Sequence, residues 1–233
     1  MNDHIARNVT LRPVASAARI AVVMLLLAGA VWVVRAVWEI RLAVAGEPAS
    51  GPPDQGGGTY RPPTALEDSY DLVLSIGGGV VLLCAVAFLS WLWRVRDNAR
   101  VLSGQKPKYL GFWVYLGWIV PIANLWVPRG LVVDVHRASD PERPAPLLLN
   151  VWWVLWLIGT FSGVGMIYED GKDQVIARAY SDIGTLLASD AALIGAAVAG
   201  ALMVRRVTEA QRRRAATWTP PAADVRASEP VRP

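Results

Sequence analysis

The sequence predicts an all-α protein. The expected form is an integral membrane helical bundle of four transmembrane helices plus a Pro-broken re-entrant or interfacial helical segment, with five transmembrane helices as the alternative. Three observations carry this. Of the 233 residues, 54% are hydrophobic, and they stand in long runs instead of the spaced pattern of a soluble core. Eleven residues are Trp, a side chain suited to the membrane interface, where the ring is buried and the N–H stays wet. The basic residues, which give the chain a net charge of +4, gather at the ends of the apolar runs, which speaks for orientation in a bilayer and against nucleic acid as a partner.

Residues 1–19 form a short polar tail carrying Arg7, Arg12 and Arg19. Residues 20–45 hold the first span. Its core, Ala21–Val34, is continuous, and Arg35, Glu39 and Arg41 follow. A signal peptide cleaved near Ala28-Gly29-Ala30 is the alternative, but apolar character continues past that point to Trp32 and Trp38, which favours an anchor. Residues 46–71 are rich in Pro and Gly and read as an extracytoplasmic linker without a packed core.

Residues 72–211 form the helical membrane domain. Its first span runs from Leu72 to about Trp93, with Gly77-Gly78-Gly79 allowing close helix approach or a kink. Arg94–Lys108 carries five basic residues and reads as cytoplasmic. The stretch Tyr109–Pro128 is long enough to cross but is interrupted by Pro121, Asn124 and Pro128. Pro121 removes a backbone donor, so its neighbourhood must be buried in protein or line a wet cavity. Leu131, Val132 and Val135 suit a short amphipathic helix. The next span, Leu147 to about Tyr168, opens with Trp152-Trp153 and contains Gly159 and Gly163 in a GxxxG pattern. Glu169–Asp182 reads as an acidic loop. Ile183–Val204 is the last span, with small residues Ala191, Gly195 and Ala199 on one face. Residues 212–233 read as a basic, Pro/Ala-rich disordered tail. Trp91, Trp93, Trp118, Trp126, Trp152 and Trp153 are expected at the membrane interface.

Charge weighs the two topologies. If Tyr109–Pro128 crosses, basic residues divide almost evenly between the two sides. If it re-enters, only Arg61, Lys172 and Arg178 remain in outer loops, and both termini are cytoplasmic. The second arrangement fits the positive-inside pattern.

Several landmarks resemble a known family: Trp91-Leu92, Arg94, Asn98-Ala99, Pro121-Ile-Ala-Asn-Leu-Trp126 with Pro128, Arg137-Ala-Ser139, Trp152-Trp153, and Arg205-Arg-Val-Thr208 with Gln211. Over roughly residues 85–211 the chain is similar to a family of bacterial membrane proteins classed as a domain of unknown function. The resemblance implies a multi-pass architecture in a bacterial inner membrane and transfers no catalytic residue.

Motifs for metal, cofactor or nucleophile are absent from the sequence, so the expectation is a non-enzymatic protein without a cofactor. Asp134 and His136 lie two apart and point apart on a helix, which suggests a solvated face. Cys84 is a lone Cys within an apolar run. The informative polar residues are Arg35, Asp190, Asn98 and Asn124. Counting about 1.5 Å per residue from either boundary puts Arg35 and Asp190 at similar depth. Unpaired charges there are costly, so the two are expected to pair, with Glu39 competing for Arg35. Asn124 is expected to satisfy backbone groups freed by Pro121 or to present its amide to a ligand. The function expected is a scaffold, sensor or partner of another envelope protein. The alternative is a small transporter or channel with residues 109–128 lining the path. Expected partners are the bilayer, anionic lipids at the basic clusters, and a membrane-protein partner or a second copy.

Overall fold

The structure, a computed structural model, describes residues 11–50, 61–162 and 172–219. These residues are helical, without strands. In chain order they form α1 (Ala15–Ala45), α2 (Ala65–Ser103), α3 (Trp113–Ile119), a 3-10 turn (Ala123–Leu125), α4 (Val127–Ser139), α5 (Leu147–Ser162), α6 (Lys172–Ser181) and α7 (Ile183–Thr217). Among them α1, α2 and α7 are long and apolar enough to cross a membrane, and α5 is apolar but shorter in its described part. Large apolar side chains such as Ile20, Leu27, Leu72, Leu82, Val154 and Leu202 are exposed along these helices, which water would not tolerate on this scale and lipid would.

Contacts between helices set the direction of each. Along α1 and α7, Gly29 meets Ala197 and Arg35 meets Asp190, so the two run antiparallel. Along α1 and α2, Gly77 abuts Val31 and Tyr70 reaches Glu39, again antiparallel. Along α5 and α7, Gly200 abuts Trp152, Gly195 abuts Leu155 and Gly159 abuts Leu193. Helices α1, α2, α5 and α7 are therefore an up–down bundle. Its basic end carries the start of α1, the end of α2 and the end of α7. The opposite end, called the far end, carries α6.

The broken stretch does not form one helix. Val120, the residue before Pro121, has ψ 113°, the extended backbone that a following proline favours, and it closes α3 after seven residues. A helix of that length rises about 10 Å, a third of a hydrocarbon core. Pro128 sits in the first turn of α4, where its missing N–H costs nothing. The stretch then comes back to where it started: the Lys108 amide donates to Asp134 Oδ2 at 3.0 Å, and the Tyr109 ring covers Gly130. Leu110, Phe112, Ile119, Ile122 and Trp126 on this excursion are exposed.

Several element boundaries differ from expectation. Helix α2 begins within the presumed linker, at Ala65, and continues through the presumed loop to Ser103, where Gly104 at φ 65° ends it. Tyr70 and Glu67 are fully buried, so the end of the 46–71 segment is packed. The presumed loop 169–182 contains α6. Helix α7 continues beyond the last span through Arg205–Arg214, the helical continuation expected there, and runs on into the presumed tail to Thr217, with Val207, Ala210 and Gln211 buried along it. Residues 51–60, 163–171 and 220–233, which include Gly163 and most of the presumed tail, lie outside the described residues.

Three expected rim tryptophans belong to the core. Trp91, Trp152 and Trp153 are buried, while Trp93 and Trp118 are half-buried and Trp126 is exposed. Phe88, Trp91, Trp118, Trp152, Trp153 and Trp156 form one aromatic cluster with ring centroids 4.9–6.4 Å apart. Rings this large fill the space between helices that small side chains would leave open. His136 is also buried, not solvated, because it lies on the face of α4 that carries Val132 and Val135.

Candidate functional site

Four helical positions on three helices bring a buried charge cluster together in the half of the bundle nearer α6. Arg35 and Glu39 are one turn apart on α1, so they share a face. Arg35 Nε donates to Glu39 Oε1 at 2.7 Å. The Tyr70 hydroxyl on α2 donates to the same oxygen at 2.8 Å. From α7, Asp190 Oδ1 lies 3.7 Å from Arg35 Nη1. Glu39, Tyr70 and Asp190 are fully buried, and Arg35 is 8% exposed. The expected Arg35–Asp190 pair is present, and Glu39 holds the shorter contact.

The cluster is unbalanced. One guanidinium faces two carboxylates. By distance and angle, Arg35 Nη2, Glu39 Oε2 and both Asp190 oxygens find no hydrogen-bond partner among the described residues. Buried charge is tolerated when it is paired and hydrogen-bonded, and here both conditions are only half met. Beside the cluster is a cavity of about 370 Å³, lined by Trp32, Arg35, Cys84, Trp156, Thr160 and Ser189 among others. Ser189 itself is spoken for, since its hydroxyl donates to the Gly159 carbonyl at 2.8 Å. That bond, with Leu193 packed on Gly159, is where the expected small-residue face operates. Gly195 and Ala199 also face the bundle, but Ala191 is exposed and takes no part.

A second cluster caps the far end. Thr64 and Glu67 form a capping box: the Thr64 amide donates to Glu67 Oε2 at 2.6 Å and the Glu67 amide to Thr64 Oγ1 at 3.3 Å. Arg61 donates to both Glu67 oxygens, at 3.0 and 2.7 Å, and the Tyr180 hydroxyl on α6 donates to Oε1 at 2.9 Å. Glu67 precedes the apolar part of α2. Burial works against its charge, but these hydrogen bonds outweigh burial and hold the carboxyl at about 2. The Thr64-x-x-Glu67 spacing in the sequence could have located this helix start.

The basic end is tied by neutral groups. Asn98 accepts from the Arg12 amide at 2.8 Å and donates to the Arg12 carbonyl at 2.9 Å, so one side chain clamps the backbone that leads into α1. Gln211 donates to the Val95 carbonyl at 2.8 Å, and the Trp91 indole donates to Thr208 Oγ1 at 2.9 Å. In the sequence Gln211 and Thr208 are only landmarks of the resemblance, because their partners are 116 and 117 residues away along the chain. Asn124 is buried beside the break. Its backbone N–H donates to the Val120 carbonyl at 2.8 Å, but its Oδ1 has no partner among the described residues, so the side-chain oxygen does not cap the broken helix. Asn124 and Asp190 do not share a site. Measured along α5, the level of Leu125, whose carbonyl accepts from Trp153, is two turns from the level of Gly159 and Ser189, and Trp156 of the aromatic cluster lies between them.

A family model described as Domain of unknown function (DUF4328) matches residues 62–209, from Pro62 before the capping box to Glu209 near the end of α7. No curated protein and no solved structure matches the chain.

Proposed function

The chain belongs to the DUF4328 family, a domain of unknown function, and from that premise we propose that it is a non-enzymatic multi-pass membrane protein acting as a scaffold, sensor or partner of another envelope protein. It crosses the inner membrane of a bacterium four times, with both termini and the basic end in the cytoplasm and residues 109–128 re-entering from that side. The same-end placement of Arg12, Asn98 and Gln211 supports the topology, as does the return of the excursion from Lys108 to Asp134. The observation that carries the scaffold reading is the aromatic cluster. It occupies the bundle between the level of Asn124 and the level of Asp190, where a transport path along the broken stretch would have to run. Co-purification in mild detergent tests this. A stoichiometric membrane-protein partner or second copy is expected. Solute or ion flux through purified, reconstituted protein would overturn it.

The transport reading has one observation in its favour, the excess carboxylate at Arg35, Glu39 and Asp190. One proton or one small cation would neutralise it. If that is its role, Asp190→Asn abolishes flux while the protein stays folded. Reporter fusions at Pro233 and within residues 169–182 test the topology separately: an extracytoplasmic signal at Pro233, with the N-terminus inside, would exclude four spans.

A further inference from the structure

A pocket of about 300 Å³ opens at the basic end, between α2, the connection to α3, α4 and the last turns of α7. Five cationic side chains from these four segments line it: Arg96 and Arg100, Lys106, Arg137, and Arg214. Among the described residues Asp134 is the one carboxylate in its wall, and it already accepts from the Lys108 amide. Positive charges drawn this close repel one another and create a strong local field, which an anion relieves.

Two features show that the wall is prepared and not merely charged. Arg96 Nη2 donates to the Tyr109 carbonyl at 2.7 Å, which anchors the guanidinium in the wall. The buried Nε atoms of Arg96 and Arg214 have no hydrogen-bond partner among the described residues. Arginine forks match the oxygens of a phosphate, and four of the five cations are Arg. The surroundings locate the pocket beside an apolar surface. The Arg96 guanidinium lies 6.0 Å from the Trp93 ring, and Leu110 and Phe112, next to Tyr109, are exposed.

We propose that this pocket binds a phosphate group, with the headgroup of an anionic phospholipid as the source best matched to the adjoining apolar surface. The site rests on the reading that the basic end lies at the cytoplasmic membrane surface. It is more specific than general attraction of basic residues to anionic lipid, because it depends on where the charges are.

The test uses the full chain in neutral detergent. Native mass spectrometry counts bound lipid after addition of phosphatidylglycerol or of phosphatidylcholine with the same acyl chains, and inorganic phosphate is titrated in parallel. The variant Arg100→Gln/Arg137→Gln removes two exposed pocket cations. The control Arg205→Gln/Arg206→Gln removes the same charge from exposed positions on α7 outside the pocket. Phosphatidylglycerol should bind and phosphatidylcholine should not, and the pocket variant should lose about tenfold in affinity, as expected for charged hydrogen bonds, while the control keeps it. Saturable binding of inorganic phosphate with the same dependence on the pocket variant would support the site and assign it to a soluble phosphate. Equal losses in the pocket variant and the control, or no binding of either phosphate species, would overturn the proposal. If the double variant does not fold, Arg137→Gln alone makes the same comparison. No binding of either phosphate species, or equal losses in the variant and the control, with both termini cytoplasmic rejects the pocket alone, whereas termini on opposite sides reject the topology alone.

Discussion

The bundle has two buried polar regions with opposite chemistry. At the basic end, Asn98, Gln211, Thr208 and Trp91 are neutral, and each finds a partner in a backbone group or a matched side chain. In the other half, Arg35, Glu39 and Asp190 are ionisable and carry four side-chain atoms without a hydrogen-bond partner among the described residues. A neutral network with its bonds made ties helices together at modest cost. A charged network with one acid too many is a poor tie, because desolvation of the extra carboxylate is not offset. The difference teaches that burial of polar groups here has two purposes: a clamp at one end and a site with unmet demand at the other.

The comparison breaks most sharply at Arg35. Arg35→Gln leaves two buried carboxylates with no cation and should cost about 3–5 kcal/mol in detergent unfolding experiments. Asp190→Asn leaves the matched Arg35–Glu39 pair and should cost far less. Equal losses would mean that Asp190 is the main counter-ion and that the cluster is not over-supplied with acid. In a double-mutant cycle, Arg35→Ala with Asp190→Ala should cost less than the sum of the two. Strict additivity would remove the contact between them.

Packing that holds the charged half together gives the next effect. Gly159→Leu drives a side chain into Leu193 and should lower stability by about 1–3 kcal/mol, against little change for Leu157→Ile. Equal effects would place Gly159 away from α7. At the cap, the sign follows from a carboxyl held below its usual value. Glu67 stabilises the fold fully above about pH 4.5 and loses that contribution as pH falls towards about 2, an effect of about 3 kcal/mol. Glu67→Gln should flatten thermal stability over that range. An unchanged pH profile would mean that Arg61 and Tyr180 do not hold the carboxylate. The smallest effect is expected in the neutral clamp. Thr208→Val keeps the shape of the side chain and loses the one bond from the Trp91 indole, a cost of about 1 kcal/mol that should not vary with pH.

How much of this was legible depends on the range of the interaction. Pro121 announced the break in Tyr109–Pro128, because the ring acts on its own turn and on the residue before it. Arg35 and Asp190 could be paired by counting depth, because a straight helix converts residue number into distance. Tyr70 could not be added to them. It stands at the end of a Pro/Gly-rich stretch, and nothing local to it says that Glu39 waits on another helix. Trp91, Trp152 and Trp153 were placed at the rim for a related reason. An indole N–H is satisfied equally by water at a membrane rim or by Thr208 inside a bundle, and the residue type does not distinguish them.

Hydrophobic run length, proline and the distribution of arginine thus established from sequence that the chain is helical, membrane-suited and broken near Pro121, since each is a property of a segment and its solvent. Which tryptophans fill the core, which amides clamp the N-terminal segment and where five cations meet came only from the packed structure. Those features are made between side chains far apart in sequence, whose positions are set by how α1, α2, α4 and α7 align, and no single segment encodes that alignment.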